Sequence, residues 1–181
     1  LAALCEGAQA EVVISCIASR SGSPKDARAV DYAANLALLE AAQAAGAEQF
    51  ILLSAICVQK PSLAFQHAKL AFEKELLTSG LRYSIVRPTA FFKSLSGQLA
   101  RVKQGKPFLI FGDGQLTACK PISDHDLGMF IAECLSDPAK HNRILPIGGP
   151  GDAITPLQQG EYLFKAMGKP PKYKQDPVAL L

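Results

Sequence analysis

A serine and a lysine are the side chains of this sequence whose positions indicate chemistry most directly. Ser54 follows the apolar run "FILL", which has the length of a buried strand. Lys69 lies in "FQHAKLAFEKEL", where apolar residues recur with the spacing of a helix. Ligands of open α/β sheets bind beyond the carboxyl ends of the strands. Ser54 and Lys69 are therefore candidates for a binding or catalytic site.

Lys69 has two interpretations. It stands four residues before Glu73, which is the spacing of an ordinary exposed ion pair on a helix. It also borders the apolar stripe of the same helix, so its stem could lie over apolar surface with the ammonium in a cleft. That stripe consists of Phe65, Ala68, Phe72 and Leu76. Phe65 stands one helical turn before Lys69, so no tyrosine hydroxyl accompanies the ammonium as an acid.

The elements that must position these residues alternate between strand and helix. The patterns predict strands at residues 11–19, 50–55 and 82–88, separated by helices at 27–45 and 63–78. Short connections between such elements are typical of a parallel sheet with right-handed crossovers. On the alanine-rich first helix, a 3.6-residue wheel places Ala33, Ala37 and Ala44 toward the sheet and Asp31 and Asn35 toward solvent.

The regular alternation of strand and helix ends after residue 88. Helices are predicted at 91–104, 124–135 and 156–167, with a short strand at 107–112, a further strand that leads into "PIGGPG", and Gly/Pro turns in "IFGDGQ" and "PIGGPG". Neither turn matches G-x-G-x-x-G or a P-loop. We expect residues 1–90 to be the C-terminal part of an α/β domain and residues 91–181 to be a substrate-binding lobe packed on it as one structural unit.

Composition excludes several other classes. The longest apolar runs have the length of strands, so no transmembrane segment is predicted. Five cysteines, widely spaced and odd in number, indicate neither a disulfide framework nor a zinc site. The net charge of +3 arises from interspersed charges without an aromatic-rich basic stripe, so nucleic acid is not an expected partner.

Seven segments together resemble the 8-vinyl reductases of divinyl chlorophyllide and protochlorophyllide, an atypical, NmrA-like family of short-chain dehydrogenases/reductases. The segments are "SCIAS", "FILLSAICVQKP", "FQHAKLAFEKEL", "YSIVRPTAFFKSL", "FGDG", "CKPIS" and "PIGGPG". The resemblance implies a Rossmann-like, doubly wound parallel sheet with a small C-terminal substrate lobe. Family members begin with a βαβαβ half that this sequence lacks, so we expect the chain to be a C-terminal fragment.

The resemblance also implies roles for individual residues. Ser54 and Lys69 would be the catalytic residues, with Lys69 bonded to the nicotinamide ribose and Ser54 facing the nicotinamide. Residues 16–19 would contact a ribose of NADPH, and the segment from residue 88 would lie against the carboxamide. No metal is expected. The implied cofactor contacts are Cys16, Ile17, Ala18, Ser19, Ser54, Lys69, Pro88, Thr89 and Phe92.

The implied reaction explains why a phenylalanine can stand at position 65. Reduction of a vinyl group on a tetrapyrrole leaves a carbanion delocalised through the ring system, so a strong positioned acid matters less than in carbonyl reduction. Water, Cys57 and His67 are candidate proton sources. The resemblance implies a chloroplast location or the cytoplasm of a photosynthetic bacterium, and leaves room for peripheral association with the thylakoid or envelope.

Two alternatives stay open. The first is an NADP-dependent reductase of another planar substrate, similar to isoflavone reductases, although "SAICVQKP" beside "RPTAFFKSL" is not expected there. The second is a non-catalytic NmrA-like protein that senses NADP. Loss of the lysine would be typical of that class, and Lys69 is present.

Overall fold

The computed structural model describes residues 9–178, apart from the side chains of residues 94 and 95, and divides them into two compact units. The first unit comprises residues 9–88 and 127–147, and the second comprises residues 89–126 and 148–178. The sequence predicts a boundary after residue 90, and the chain first passes from one unit to the other after residue 88. Residues 127–147 return to the first unit because their strand extends its sheet.

Strands and helices alternate along most of the described chain. The strands are β1 (Val12–Ser15), β2 (Gln49–Leu53), β3 (Arg82–Pro88), β4 (Phe108–Phe111), β5 (Arg143–Ile147) and β6 (Tyr173–Asp176). The helices are α1, in three consecutive segments (Pro24–Asp26, Ala27–Ala34 and Asn35–Ala44), α2 (Ala64–Thr78), α3 (Phe92–Leu95), α4 (Gly97–Lys103), α5 (Asp124–Glu133) and α6 (Pro156–Ala166). Short 3₁₀ turns cover Ile56–Gln59 and Pro138–Lys140.

The predicted elements are confirmed with three differences. The predicted strand at 11–19 ends at Ser15, which leaves residues 16–19 as a loop. The predicted helix at 91–104 is divided into α3 and α4. Strand β6 is not predicted, because the polar "KYKQD" that contains it has no apolar alternation.

The sheet of the first unit is parallel throughout, in the order β1-β2-β3-β5. One face packs against α1 and α2 through the buried residues Leu39, Ala42, Ala47, Phe50, Leu52, Phe72, Leu76 and Ile85. On the opposite face, Gln49 donates a hydrogen bond to the carbonyl of Cys134, just after α5. Chain segments thus cover both faces, as in a doubly wound α/β fold.

Helix α1 differs from the predicted wheel. Asp31 and Asn35 are buried, whereas Ala33, Ala37 and Ala44 are exposed, so the predicted orientation of these five residues is wrong. The segment Ala27–Ala34 is π-helical, and a π turn holds more residues than an α turn, so a 3.6-residue wheel misplaces its side chains. Alanines surround the helix, so the apolar pattern alone defines no face.

The second unit has its own small core. Strands β4 and β6 pair in parallel. Tyr173 of β6 packs edge-on against Phe108 and Phe164, with ring centroids 6.2 and 5.7 Å away. A Cβ atom at Gly160 would lie 2.5 Å from the Tyr173 ring, so only glycine permits α6 to approach this closely. The strand missing from the sequence prediction therefore supplies the central side chain of this core.

Strand β1 is an edge strand among the described residues, and Ile14 is 43% exposed on it. We predict that the 181-residue chain expressed alone self-associates, because an unpaired apolar edge is a template for pairing. Ile14→Lys should reduce that association, measured by light scattering during size-exclusion chromatography. The control is Ile144→Lys on β5, where Pro146 already blocks edge pairing, and this variant should behave as the parent. A monodisperse parent chain that melts cooperatively would contradict this prediction.

Candidate functional site

The carboxyl ends of β1, β2 and β3 lie side by side in the first unit. The loop of residues 16–19 follows β1, Ser54 follows β2, and Pro88 ends β3. Lys69 lies on α2 and reaches the same region. The structure thus brings most of the sequence-predicted site residues to one edge of a sheet, whereas Thr89 and Phe92 belong to the second unit.

Lys69 forms a buried ion pair with Asp31 of α1. Its Nζ lies 3.1 Å from Asp31 Oδ1, and the two side chains are 10% and 0% exposed. The same Oδ1 accepts the backbone N–H of Ser19 at 3.2 Å. The interpretation of Lys69 as an exposed residue paired with Glu73 is therefore wrong. One carboxylate oxygen instead connects α1, α2 and the loop that follows β1.

Asn35 fixes the part of α1 from which Asp31 projects. Its side-chain Nδ2 donates to the carbonyls of Val30 and Asp31, each at 3.2 Å. Its Oδ1 accepts a hydrogen bond from the Ser15 hydroxyl at the end of β1. These bonds satisfy two backbone carbonyls of the π-helical segment and attach that segment to the sheet. The orientation of Asp31 therefore depends on a second buried polar contact.

Ser54 belongs to a different buried cluster. Its hydroxyl donates to Glu73 Oε1 at 2.5 Å. Arg87 of β3 donates through Nε to the same oxygen at 3.2 Å and through Nη2 to Glu73 Oε2. Because the hydroxyl proton of Ser54 is directed to a carboxylate, only the lone pairs of its oxygen are available to a ligand. In this arrangement Ser54 can accept a hydrogen bond but not donate one.

The sequence interpretation assigned no role in the site to Asp31, Glu73 or Arg87, although Arg87 begins one of the strand-end segments that it considered, residues 87–92. Arg87 gave the clearest available signal, because a charged residue within the apolar strand "YSIVRP" needs a buried partner. The four-residue spacing from Lys69 indicated an exposed ion pair for Glu73, and the helical wheel of the alanine-rich helix placed Asp31 toward solvent. None of the three carries a recognisable motif.

The candidate proton sources have different surroundings. His67 is exposed, and Cys57 is half-buried in the 3₁₀ turn after β2. Cys16 is exposed, yet partial desolvation of its sulfur raises the pKa of the thiol above its ordinary value, and the charge of Lys69 opposes that shift. Phe65 is half-buried. The four cysteines of the described region are free, and Cys5 lies outside that region.

The second unit contains an apolar pocket of about 300 Å³. Phe92, with an exposed ring, borders this pocket together with Tyr162 of α6. The remaining lining residues are Ser96, Leu99, Phe108, Ile154, Gln159 and Leu163. Thr89 donates its hydroxyl proton to the carbonyl of Lys120 within the same unit.

A parallel, doubly wound sheet with polar groups beyond its strand ends defines a nucleotide-binding class of α/β protein. The family model described as NAD(P)H-binding matches residues 1–138, so the chain belongs to the NAD(P)H-binding family.

Among curated proteins, the chain is similar to the chloroplastic divinyl chlorophyllide a 8-vinyl-reductases of Oryza sativa subsp. indica and Zea mays. It is 56% identical to the rice protein over 173 residues, covering 93% of this chain and 43% of that protein. The maize protein is 53% identical over 186 residues, covering 100% of this chain and 46% of that protein. The chain therefore spans less than half the length of these relatives.

Solved structures confirm the Rossmann-like fold. An NAD complex of UDP-glucuronic acid 4-epimerase from Bacillus cereus superposes with a TM-score of 0.82 at 17% identity, covering 97% of this chain and 64% of that chain. An NADPH complex of the quinone oxidoreductase QOR2 from Escherichia coli gives a TM-score of 0.78 at 22% identity, covering 98% and 60%. At these identities the comparison establishes the fold alone.

Two features are absent from residues 9–178. No helix in this part of the chain has the length and apolar character needed to cross a membrane. No group of three or more His, Cys, Asp or Glu side chains there is arranged to hold a metal ion.

The Glu73 cluster predicts a large stability effect. Glu73→Gln should lower the free energy of unfolding by about 3 kcal/mol, because it leaves the Arg87 guanidinium buried without a counter-charge. The measurement is urea denaturation of the complete gene product. The matched control is Glu48→Gln, which breaks a solvent-exposed pair with Arg82 at 3.7 Å and should cost less than about 1 kcal/mol. Equal losses in the two variants would contradict a structural role for the buried pair.

Proposed function

We propose that this protein uses NADPH to reduce the 8-vinyl group of divinyl chlorophyllide or divinyl protochlorophyllide to an ethyl group in the chloroplast. The observation that carries the proposal is the identity with four chloroplastic 8-vinyl-reductases, 53–56% over 93–100% of the chain. The buried Lys69 and the polar groups around it support a cofactor site of the kind this reaction needs. Peripheral contact with thylakoid or envelope membranes stays a prediction.

The residues of the first unit fit a dinucleotide. An ammonium group has three donors, and within the described structure Lys69 has one ion-pair partner, Asp31. Two donors are therefore available for ribose hydroxyls. The loop of Cys16, Ile17, Ala18 and Ser19 is held beside this ammonium through Asp31 and is partly exposed, so it can approach a ligand. These residues, with Ser54 and Pro88, are the proposed cofactor contacts of the first unit. For Thr89 and Phe92, cofactor contact stays a prediction from the family resemblance.

When bound, NADPH supplies the hydride. The protein's own contribution is to hold donor and vinyl carbon in line, which can replace much of the entropy cost of a bimolecular reaction. The proton that completes the ethyl group has to come from another source. Ser54 is a poor candidate, because its proton already bonds Glu73. Water is the proposed donor, with Cys57 and His67 as secondary candidates.

The direct test incubates the complete, purified gene product with divinyl chlorophyllide and NADPH. We expect a product that is heavier by two hydrogens in mass spectrometry, with one deuterium in the new ethyl group when the transferred hydrogen of NADPH is labelled. Monovinyl chlorophyllide, which lacks the 8-vinyl group, is the control and should remain unchanged. Failure to convert the divinyl pigment under conditions in which NADPH binds would contradict the proposed substrate.

Phe65→Tyr tests whether the reaction needs a tyrosine acid. We predict that this variant of the complete gene product reduces the vinyl group no faster than the wild type. It should be slower if the added hydroxyl is desolvated without a partner, at a cost of about 1–3 kcal/mol. The measurement is the initial rate with and without deuterated solvent. A large gain in rate would show that the enzyme lacks an acid it could use.

A further inference from the structure

Asp31 is the most deeply buried charged group near the proposed ribose site. Its side chain is 0% exposed and lies opposite the Lys69 ammonium. Burial of a carboxylate is costly unless the charge is paired and its oxygens accept hydrogen bonds. Oδ1 meets this requirement through Lys69 and Ser19. Oδ2 is buried and has no hydrogen-bond partner in the described structure.

Glu73, one helical turn from Lys69 on the same helix, provides a contrast. Its Oε1 accepts hydrogen bonds from Ser54 and from Nε of Arg87, and its Oε2 accepts one from Nη2 of Arg87. Both oxygens of that carboxylate are satisfied, as expected of an ion pair that stabilises the fold. The Asp31 carboxylate is satisfied on one side only, so its burial is poorly explained by stability alone.

The position of Asp31 beside the proposed ribose site explains its burial better than a contribution to stability does. Its Oδ1 contacts the two segments that the proposed function assigns to ribose binding, namely Lys69 and the loop that contains Ser19. It reaches them from a π-helical segment, and such segments occur frequently at functional sites. Asn35 and Ser15 fix that segment to the end of β1. Lys69 and the loop thus meet at one carboxylate oxygen, and the helical segment that carries this oxygen is attached to the end of β1.

We propose that Asp31 is a positioning residue for NADPH: its Oδ1 holds the Lys69 ammonium and the Ser19 backbone in the arrangement that receives a ribose of the cofactor. The identity of the ligand rests on the proposed function. Asp31 itself is covered by protein and acts through Lys69 and the loop. An asparagine at this position can still accept the Ser19 N–H through Oδ1 but no longer pairs with the ammonium. Removing the charge should therefore weaken cofactor binding only as long as Lys69 is present.

The test is a double-mutant cycle in the complete gene product, with the dissociation constant of NADPH measured by fluorescence titration. Asp31→Asn and Lys69→Met should each weaken binding about tenfold, which corresponds to a coupling of ordinary size for a close charged pair. The double variant should bind as weakly as Lys69→Met alone. Independent, multiplying losses would overturn the proposal, as would wild-type affinity in Asp31→Asn.

Controls separate positioning from general destabilisation. Glu40→Gln removes an exposed carboxylate from the same helix and should leave NADPH affinity unchanged. If Asp31→Asn does not fold, Asp31→Glu keeps the charge and moves its oxygens by one methylene; it should still weaken NADPH binding about threefold, and unchanged affinity would overturn the proposal. A wild-type protein that binds NADPH but does not reduce divinyl chlorophyllide would refute the proposed substrate while the Asp31 cycle could still be completed.

Discussion

A charge buried between helices and a sheet needs a partner of opposite sign, and the described part of the first unit buries four such charges. They form two ion pairs, Asp31 with Lys69 and Glu73 with Arg87. Both pairs include one residue of α2, and their partners lie on α1 and on β3. Helix α2 cannot shift against either element without separating buried charges, which is strongly unfavourable. The two pairs therefore fix the positions from which the rest of the candidate site is built.

The two pairs divide the site into a structural and a ligand-facing part. Arg87 and Ser54 saturate the carboxylate of Glu73, and this directs the Ser54 proton away from any ligand. Lys69 keeps donors that its single described partner does not use. A site with an available cation and without a committed acid suits the transfer of a hydride to a conjugated vinyl group better than to a carbonyl. The charges around Lys69 and Ser54 are therefore consistent with the proposed reduction of a vinyl group.

Apolar periodicity was sufficient to predict the α/β class, the parallel sheet and nearly every element, because these features follow from which residues avoid water. The buried charges were not predictable in this way. Asp31 was assigned to solvent because its helix is alanine-rich on every side and contains a π-helical segment, and Glu73 because four-residue spacing from a lysine usually indicates a surface pair. Strand β6 was not predicted because Tyr173 is its only apolar residue. That side chain packs into a core whose other residues come from distant parts of the sequence.

The most direct test of the account is a crystal structure of the complete gene product with NADPH bound. The account predicts that the Lys69 ammonium lies within hydrogen-bonding distance of a ribose hydroxyl while it retains its ion pair with Asp31, and that the Ser19 amide still donates to the same carboxylate. A complex in which Lys69 points away from the ribose, or in which NADPH binds with the Asp31 pair broken, would contradict it.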